Sequence, residues 1–301
     1  MRIGILSRGP TLYSTGRLVE AGQRRGHRVL VIDTMQAARS LGVVPRASGR
    51  RFNQSLPRVD AIIPRIGASI TRYGVAVVHK YESRGVVTTA PSQAIAQSRD
   101  KLRSLQLMQS AELPTPKTAI VSNLGELAAA IDAVNGFPIV IKILKGTQGK
   151  GVILAPNLVT ARAVLSIFFR HGHKPILVQE FIDEADGRDL RLLIVGNRCI
   201  AAMQRTAPQG DFRANLHRGA TSTRIRPDEA TEELALRAAA LHRLGVAGVD
   251  IIPSQRGPLL LEVNSSPGLE GIENTTRTDI ATEVVRYLEE CAREKQRRPT
   301  R

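Results

Sequence analysis

Two short apolar segments near the C-terminus constrain the fold of this chain more than any other feature. They span 246–252 and 259–263, and a short turn containing glycine and proline joins them. Apolar runs on both sides of such a turn predict an antiparallel β-hairpin. If the turn is centred near Arg256, Asp250 on the first strand lies directly opposite Glu262 on the second.

The same hairpin places three oxygen-bearing side chains together. Side chains alternate between the two faces of a strand, so Glu262 and Asn264 share one face. Two carboxylates in directly opposed positions, such as Asp250 and Glu262, repel one another. Carboxylate and amide oxygens, completed by water and substrate phosphate, are ligands that suit Mg²⁺. The hairpin therefore predicts a magnesium site, and a hairpin with solvated acids is the alternative.

A glycine-rich loop joins two further apolar segments, 138–145 and 152–154. Its glycines, at 146, 149 and 151, allow backbone N–H groups to approach a phosphate closely. The loop is not a Walker A motif, because Leu144 and Gly151 stand where that motif requires glycine and then serine or threonine. It also links strand to strand, so an ordinary flexible hairpin is the alternative.

Lys142 interrupts the apolar strand that leads into the glycine-rich loop. An unpaired ammonium group buried in such a strand is energetically expensive. Lys142 is therefore expected either to reach the end of the strand or to meet a fixed anion such as a nucleotide phosphate.

A polar loop at 211–219, here called the arginine loop, carries Arg213, Arg218, Asn215 and His217. Arginines that face a transferring phosphoryl group stabilise its developing charge. A solvated basic loop is the alternative, and a lone histidine is more often structural than a general base. No Ser-His-Asp or Cys-His arrangement stands out.

The first hundred residues alternate between short apolar strands and helices, which indicates a small parallel sheet. The strands are predicted at 2–7, 28–33 and 60–65. A dinucleotide-binding fold requires G-x-G-x-x-G after the first strand, and Ser7–Thr11 lacks it. A helix is then predicted from about Arg99 to Ala111, and the hairpins and helices that follow are typical of an α+β region.

The net charge of +16 comes from 43 basic and 27 acidic residues. The first hundred residues alone hold 16 basic and five acidic side chains. A basic surface attracts polyanions, either nucleic acid or an acidic protein or peptide, and solvated arginines are the alternative. Aromatic residues, on which bases stack, make up 3% of the chain, so the charge alone does not establish nucleic-acid binding.

The cellular compartment is indicated by three features. Cys199 and Cys291 have no C-x-x-C spacing and suggest neither a disulfide framework nor a zinc site. No apolar run reaches the roughly 18 residues of a membrane span. The N-terminal apolar stretch is too short for a signal peptide. We therefore expect a cytoplasmic protein.

Six segments of the chain carry a resemblance to a known family. They are SRGPTLYS (7–14), PRIG (64–67), SRDKLRSLQL (98–107), KGTQGKGV (145–152), DFRANLHRGA (211–220) and EVNSSPGLEGIE (262–273). With Lys142 and Asp250 in order between them, the chain resembles the ATP-grasp superfamily of carboxylate–amine ligases, and within it the RimK family. One departure is Ser265-Ser266, where Asn-Ala-Ser-Pro is expected, and it leaves the predicted metal ligands intact.

The resemblance implies a chain with α/β and α+β parts. An ATP-grasp fold would be preceded by a small parallel-sheet (pre-ATP-grasp) domain. The expected units are the N-terminal domain 1–97, a central subdomain with the glycine-rich loop 98–178, a C-terminal subdomain with the magnesium site 179–292, and a frayed basic tail 293–301.

The resemblance also implies residues that bind ATP. Lys101 and Lys142 would hold the phosphates beneath the glycine-rich loop. The segment with Glu180 and Phe181 would edge the adenine, with Asp189 near the ribose. The residues implied to line the triphosphate are Arg213, Ala214 and Asn215.

The metal ligands implied by the resemblance are Asp250, Glu262 and Asn264, which would bind two Mg²⁺ ions, or Mn²⁺, with Glu262 bridging. Arg213 and Asn264 are the candidate catalytic residues. The implied reaction begins when a substrate carboxylate attacks the γ-phosphate and forms an acyl phosphate. The amino group of glutamate then displaces phosphate. Positioning and electrostatics supply most of such catalysis, so no protein nucleophile is needed.

The partners implied are L-glutamate and, as its acceptor, the C-terminal tail of the sixth protein of the small ribosomal subunit. One or more glutamates would be added to that tail. An acidic acceptor would give the basic surface a partner without DNA or a membrane. A homotetramer is also implied.

Two other functions stay open at this point. The same chemistry could act on a small-molecule or carrier-protein acceptor. The charge of +16 alone would also suit a non-catalytic protein that binds RNA or the ribosome. The acceptor that stimulates ATP turnover would separate these possibilities.

Overall fold

The computed structural model describes residues 1–41, 56–144, 151–172 and 175–297, called here the described ranges. Within these ranges the strands form three sheets, in the orders β2-β1-β3-β4, β5-β8-β6-β7 and β11-β10-β9-β12-β13. The first sheet is parallel and the other two are antiparallel. The α/β and α+β fold class predicted above is confirmed.

The parallel sheet belongs to the N-terminal part of the chain. Its strands are β1 Arg2–Ser7, β2 Arg28–Asp33, β3 Ala61–Pro64 and β4 Val87–Thr88, and its helices are α1 Tyr13–Arg24, α2 Thr34–Arg39, α3 Thr71–Glu82 and α4 Ser92–Arg99. Ile3 and Ile5 of β1 are buried on one face of the sheet, and Leu6 on the other. Burial of both faces explains the nearly continuous apolar strands.

The second sheet follows a helix, α5 Lys101–Ser110, that leads out of the N-terminal part. Its elements are β5 Thr118–Val121, α6 Leu127–Ala133, β6 Ile139–Ile143, β7 Val152–Ala155, α7 Leu158–Arg170 and β8 Ile176–Glu180. Strand β8 runs through the boundary predicted between 178 and 179. Because Glu180 still pairs with Ile139 of β6, this sheet extends two residues beyond that boundary.

The third sheet is built from β9 Arg188–Val195, β10 Arg198–Thr206, β11 Thr221–Arg224, β12 Val246–Ile252 and β13 Leu259–Asn264. Helix α8 Glu229–Leu241 packs on one face, where Leu192 and Val249 are buried with its Leu234 and its alanines. Helices α9 Glu270–Thr276 and α10 Ile280–Arg297 cover part of the other face, where Leu193 and Val195 are buried.

The helix predicted from Arg99 to Ala111 begins two residues later, and the end of α4 was not predicted. Asp100 separates the two helices in an extended conformation, with φ −90° and ψ 101°. Its carboxylate accepts hydrogen bonds from the backbone of Leu102 and Arg103, both at 3.1 Å. Asp100 is therefore the N-cap of α5, and Lys101 occupies the first turn of that helix.

Helix α10 corrects the prediction of a frayed tail after residue 292. It is helical to Arg297, because its last turns pack against the N-terminal part: Lys295 donates a hydrogen bond to the Gly85 carbonyl, and Arg25 forms an ion pair with Glu289. The remaining tail residues lie outside the described ranges. In the described ranges no helix is both long and apolar enough to cross a membrane.

Candidate active site

One end of the third sheet carries the polar residues that the sequence singles out. On β9, Asp189 and Arg191 alternate onto the same face as Leu193 and Val195. The two apolar residues are buried with α9 and α10, so this face is a closed core at one end. At the other end it presents charged side chains from β9, β10, β12 and β13.

The predicted opposition of Asp250 and Glu262 is confirmed. The two residues are direct cross-strand partners between β12 and β13. The register changes by one residue immediately after this pair, between Asp250 and Ile251, which leaves Leu261 as the extra residue of a β-bulge. Bulges commonly occur beside active sites, where they redirect side chains.

Asp250 does not meet Glu262 as an unpaired charge. Arg191, its neighbour on β9, donates to both of its carboxylate oxygens at 2.7 and 2.6 Å, and Arg205 lies 3.3 Å away. Burial alone would raise the pKa of Asp250, but the two guanidinium groups outweigh it and hold that pKa below its ordinary value. The arginines therefore relieve the repulsion between the two acids. The expectation that this repulsion requires a metal ion is wrong.

Glu262 and Asn264 are less constrained than Asp250. Glu262 is exposed and forms no ion pair with a residue in the described ranges. Asn264 Nδ2 is buried and has no hydrogen-bond partner there. A buried polar atom without a partner is costly, and a half-turn of the amide would present its oxygen in the same place.

These observations define how the residues fit Mg²⁺. Within the described ranges no three His, Cys, Asp or Glu side chains are arranged to hold a metal ion. Glu262 and the Asn264 amide nevertheless supply oxygen donors of the type that Mg²⁺ takes together with water and phosphate. Asp250 can join them only if Arg191 and Arg205 share its carboxylate. Glu262 and Asn264 are therefore the residues best suited to bind the ion, and Asp250 is less available.

Lys142 lies on β6 and points toward the same place. Its Nζ donates to Gln179 Oε1 on β8 at 2.5 Å, so its contact partner is neutral. Burial lowers the pKa of Lys142 to about 8, with a further lowering by the positive charge of Lys101 and an opposing effect of Glu262. Because Lys101 and Glu262 are both close enough to affect Lys142, the three residues lie in one neighbourhood.

The glycine-rich loop joins β6 to β7, which pair antiparallel as the strands of the predicted hairpin. Lys142 lies opposite Val152. Residues 145–150, with two of its three glycines, lie outside the described ranges. Gly151 has φ +72°, and a Cβ there would lie 2.3 Å from the side chain of Ile143. Only glycine fits this end of the loop.

The arginine loop reaches both β7 and the end of β8. Arg213 is held by Asp211 through its Nε and Nη2, at 2.8 and 2.9 Å, and donates to the Val152 carbonyl at 3.2 Å. Phe212 stacks edge-on against Phe181 with ring centroids 6.0 Å apart. The segment predicted to edge adenine and the loop predicted to line the triphosphate are thus in contact. Ala214 is buried, Asn215 is half-buried and His217 is exposed.

Two carboxylates predicted to bind the nucleotide accept hydrogen bonds from other residues of the protein. Glu180 accepts hydrogen bonds from the Lys117 backbone and from Arg256, at 2.7 and 2.6 Å. Asp189 accepts two from Arg205, at 2.6 and 2.7 Å. Any contact between the Glu180 segment and adenine would therefore be made by backbone groups. A hydrogen bond from the ribose to Asp189 would compete with those from Arg205.

The PRIG segment is joined to the residues that follow β13. Arg65 Nη2 donates to the Pro267 carbonyl at 2.6 Å, and the Ile66 N–H donates to Ser266 Oγ at 3.1 Å. Arg99, at the end of α4, donates to the Ile66 carbonyl at 2.6 Å. These bonds bring part of the N-terminal domain beside Asn264 and its neighbours.

Four arginines at this site were missed from the sequence. Arg191 and Arg205 contact Asp250, and Arg65 and Arg99 lie beside the segment after β13. Polar alternation in Asp189-Leu190-Arg191 would have placed Arg191 on the face of Asp189. Arg205 lies near the end of β10, and no motif in the sequence singled it out.

The chain matches two family models that together span most of its length. The RimK PreATP-grasp domain matches residues 1–95, and the RimK-like ATP-grasp domain matches residues 98–288. Similar curated proteins carry the name probable alpha-L-glutamate ligase. A relative from Marinomonas sp. is 49% identical over 97% of this chain and 96% of its own. One from Pseudomonas aeruginosa is 49% identical over 96% and 95%, respectively.

Solved structures of ATP-grasp ligases share the fold. The ligase PsnB in complex with a minimal precursor has a TM-score of 0.71 at 20% identity, covering 96% of this chain and 98% of its own. D-alanine–D-alanine ligase from Bacillus anthracis has a TM-score of 0.69 at 16% identity, covering 98% of each chain. From these matches, the chain belongs to the RimK-like ATP-grasp family of ATP-dependent ligases.

Proposed function

We propose that this protein is a magnesium-dependent carboxylate–amine ligase that adds L-glutamate to the C-terminal glutamate of the sixth small-subunit ribosomal protein. The observation that carries the proposal is the opposition of Asp250 and Glu262 on one hairpin, with Lys142 and Lys101 acting electrostatically on the same neighbourhood. Glu262, with Asp250 opposite it, therefore lies near ammonium groups suited to phosphates. This is the charge arrangement that a phosphoryl-transfer site needs.

In this proposal each group of residues has a separate task. Lys101 and Lys142 bind the phosphates of ATP, and Arg213, Ala214 and Asn215 line the triphosphate. Backbone groups around Glu180 and Phe181 contact the adenine, and Asp189 lies near the ribose. Glu262, Asn264 and Asp250 would hold two Mg²⁺ ions, or Mn²⁺. When bound, the metal would neutralise charge on the phosphates and orient them.

The reaction joins a carboxylate to an amine at the expense of ATP. An oxygen of the acceptor carboxylate attacks the γ-phosphorus, and the bond between that phosphorus and the bridging oxygen of ADP breaks. The amine of glutamate attacks the resulting acyl phosphate, a C–N bond forms, phosphate leaves, and the amine loses a proton. In this proposed reaction, Arg213 and the Asn264 amide orient the phosphoryl group and stabilise its charge.

Support for glutamate comes from the similar proteins named probable alpha-L-glutamate ligase. Support for an acidic acceptor comes from the excess of basic residues in the first hundred positions. Repeated addition of glutamate, a cytoplasmic location and a homotetramer belong to the same proposal. So does division into units close to 1–97, 98–178 and 179–292, with the whole of β8 in the second unit.

The proposal is tested with purified protein, ATP, Mg²⁺ and L-glutamate, with and without the purified ribosomal protein. We expect ADP formation that depends on the acceptor, together with mass increments of one glutamyl residue at the acceptor's C-terminus. ADP formation only with a small-molecule or carrier-protein acceptor would show that the ribosomal assignment is wrong. Salt-sensitive RNA binding without ADP formation under any condition would contradict the ligase activity itself.

A further inference from the structure

Two arginines from the N-terminal half lie beside the segment that follows β13. Arg65 follows β3 at the C-terminal edge of the parallel sheet, and Arg99 is the last residue of α4. Each is half-buried, and each uses one Nη2 to bind a backbone carbonyl, Pro267 for Arg65 and Ile66 for Arg99, both at 2.6 Å. Within the described part of the chain, these two bonds leave most of the ten guanidinium N–H donors without a protein partner.

The charges of the two arginines are not balanced locally. In the described ranges neither guanidinium has a carboxylate within ion-pair distance, whereas Arg191 and Arg205 both do. Arg99 Nε is fully buried and has no hydrogen-bond partner in those ranges. The Arg65 and Arg99 charges also act on each other, and after burial this repulsion is the second cause that lowers the pKa of Arg65 to about 10. Two neighbouring half-buried cations, one of them with a buried donor that lacks a partner in those ranges, would be stabilised by a bound anion.

The anion that fits this place is a carboxylate. Glu262 acts electrostatically on Arg99 as well as on Lys142, so Arg99 lies near the β12–β13 hairpin. The lysines already supply point charges suited to phosphates, whereas the planar fork of a guanidinium matches the two oxygens of a carboxylate. A carboxylate held beside Glu262 and Arg99 would be near the phosphoryl group that Lys142 holds.

We propose that Arg65 and Arg99 form a carboxylate-binding subsite for the amino-acid or peptide substrate. The subsite rests on the proposed function for the identity of its ligand, which is either the acceptor's terminal carboxylate or a carboxylate of incoming glutamate. The subsite also explains why the PRIG segment contacts the segment after β13. That contact sets the distance between the carboxylate and the metal ligands.

The test measures binding and turnover separately. L-glutamate and a synthetic peptide ending in glutamate are each titrated into the full-length protein with Mg²⁺ and a non-hydrolysable ATP analogue present. The variants are Arg99→Gln and Arg99→Lys, with Arg103→Gln as the matched control because the side chain of Arg103 is 72% exposed. Apparent KM values for ATP, glutamate and the peptide are determined in parallel.

We expect Arg99→Gln to weaken binding of one of the two carboxylate ligands at least about tenfold, equivalent to about 1.4 kcal/mol. Binding of the ATP analogue should change less than about twofold, a contrast that a merely structural role would not produce. Arg99→Lys, which keeps the charge but not the fork, should fall between wild type and Arg99→Gln. Arg103→Gln should match wild type. The ligand that is weakened identifies which carboxylate the subsite takes.

Three outcomes would overturn the subsite: wild-type protein that binds neither ligand, unchanged binding in Arg99→Gln, or an equal loss for the ATP analogue and both ligands. If Arg99→Gln does not fold, as judged by thermal melting, Arg99→Lys and Arg65→Lys decide in the same way. Failure of the proposed function looks different, because carboxylate binding and its loss in Arg99→Gln would persist while no ligated product forms.

Discussion

The Arg191 guanidinium donates hydrogen bonds to both carboxylate oxygens of Asp250, at 2.7 and 2.6 Å. Arg191 is the cross-strand neighbour of Asp250 on β9, and Glu262 is its neighbour on β13. Asp250 therefore lies between a cation and an anion within one sheet. The arginine fixes the orientation of Asp250 and leaves Glu262 as the carboxylate most available to a ligand.

Replacing Arg191 should destabilise the protein. In Arg191→Met the buried Asp250 carboxylate keeps, among residues in the described ranges, only its 3.3 Å contact with Arg205, and loss of a partner from a buried ion pair costs about 3 kcal/mol. We expect a loss of about 2–3 kcal/mol in the free energy of unfolding, measured by denaturant titration. Arg198→Met is the matched control: Arg198 pairs with Glu283 but is 55% exposed, so a loss below about 1 kcal/mol is expected. Equal losses in both variants would show that the Asp250 pair has no special role.

Glu262 should matter for turnover and little for folding. It is exposed and unpaired in the described ranges, so Glu262→Gln removes no contact that stabilises the hairpin. We expect ADP formation to fall at least about a hundredfold, as the loss of a metal-bridging ligand would produce, while the melting temperature changes little. Glu233→Gln, at a position 67% exposed on α8, should leave both quantities unchanged. Activity close to wild type in Glu262→Gln would refute the metal assignment.

Lys142 should make ATP binding depend on pH. The pKa of Lys142 is lowered from its ordinary value to about 8, so the ammonium is charged at pH 7 and loses its proton as the pH rises through 8. The apparent KM for ATP should therefore increase between pH 7 and pH 9. Lys142→Ala should raise that KM about tenfold at pH 7, because the charge is absent throughout.

The variant Lys142→Arg separates charge from shape at this position. An arginine remains charged across this pH range, so the rise in KM between pH 7 and pH 9 should disappear even if binding is weaker overall. A wild-type KM that does not vary with pH, or a rise that persists in Lys142→Arg, would remove Lys142 from the phosphate site.

The attachment of α10 to the N-terminal domain should weaken in acid. Glu289 binds Arg25 at 2.7 Å through both oxygens and His27 at 2.7 Å, and the hydrogen bonds of Arg25 are the main cause that lowers its pKa from 4.5 to about 2. The stability from this carboxylate is complete above pH 4.5 and is lost as the pH falls toward 2. At pH 6, Glu289→Gln should cost about 2 kcal/mol, whereas its exposed neighbour Glu290→Gln should cost almost nothing.

Denaturant titration of both variants at several pH values checks this prediction. The difference in unfolding free energy between wild type and Glu289→Gln should shrink steadily below pH 4. A difference that stays constant down to pH 3 would show that packing of α10, rather than the charge of Glu289, holds the helix in place.

Local patterns in the sequence were sufficient for several parts of the fold. The parallel sheet follows from apolar strands alternating with helices, and the register of Asp250 with Glu262 follows from a short turn between two apolar strands. Residues 293–297 were predicted to be frayed but continue helix α10, because the last turns of that helix depend on contacts with Gly85 and Arg25, far away in the chain. The end of α4 was missed although Asp100 is a good N-cap residue, because a continuous helical pattern surrounds it.

The candidate site was predictable where its residues are close in sequence and not where strands from different regions meet. Asp250, Glu262 and Asn264 share one hairpin. Arg191 is 59 residues from Asp250, and nothing in the sequence places β9 beside β12. The interpretation of Asp250 and Glu262 as mutually repelling acids was incomplete for the same reason. The third charge beside them is that of Arg191 on β9, and only the fold shows which strands lie next to β9.

The acyl-phosphate route is tested by following an oxygen atom from the acceptor into the released phosphate. The acceptor, prepared with a heavy oxygen isotope in its terminal carboxylate, is incubated with the protein, ATP, Mg²⁺ and L-glutamate, and the released phosphate is analysed by mass spectrometry. An acyl-phosphate route predicts one labelled oxygen in each phosphate released with a new peptide bond. Ligated product accompanied by unlabelled phosphate would contradict it.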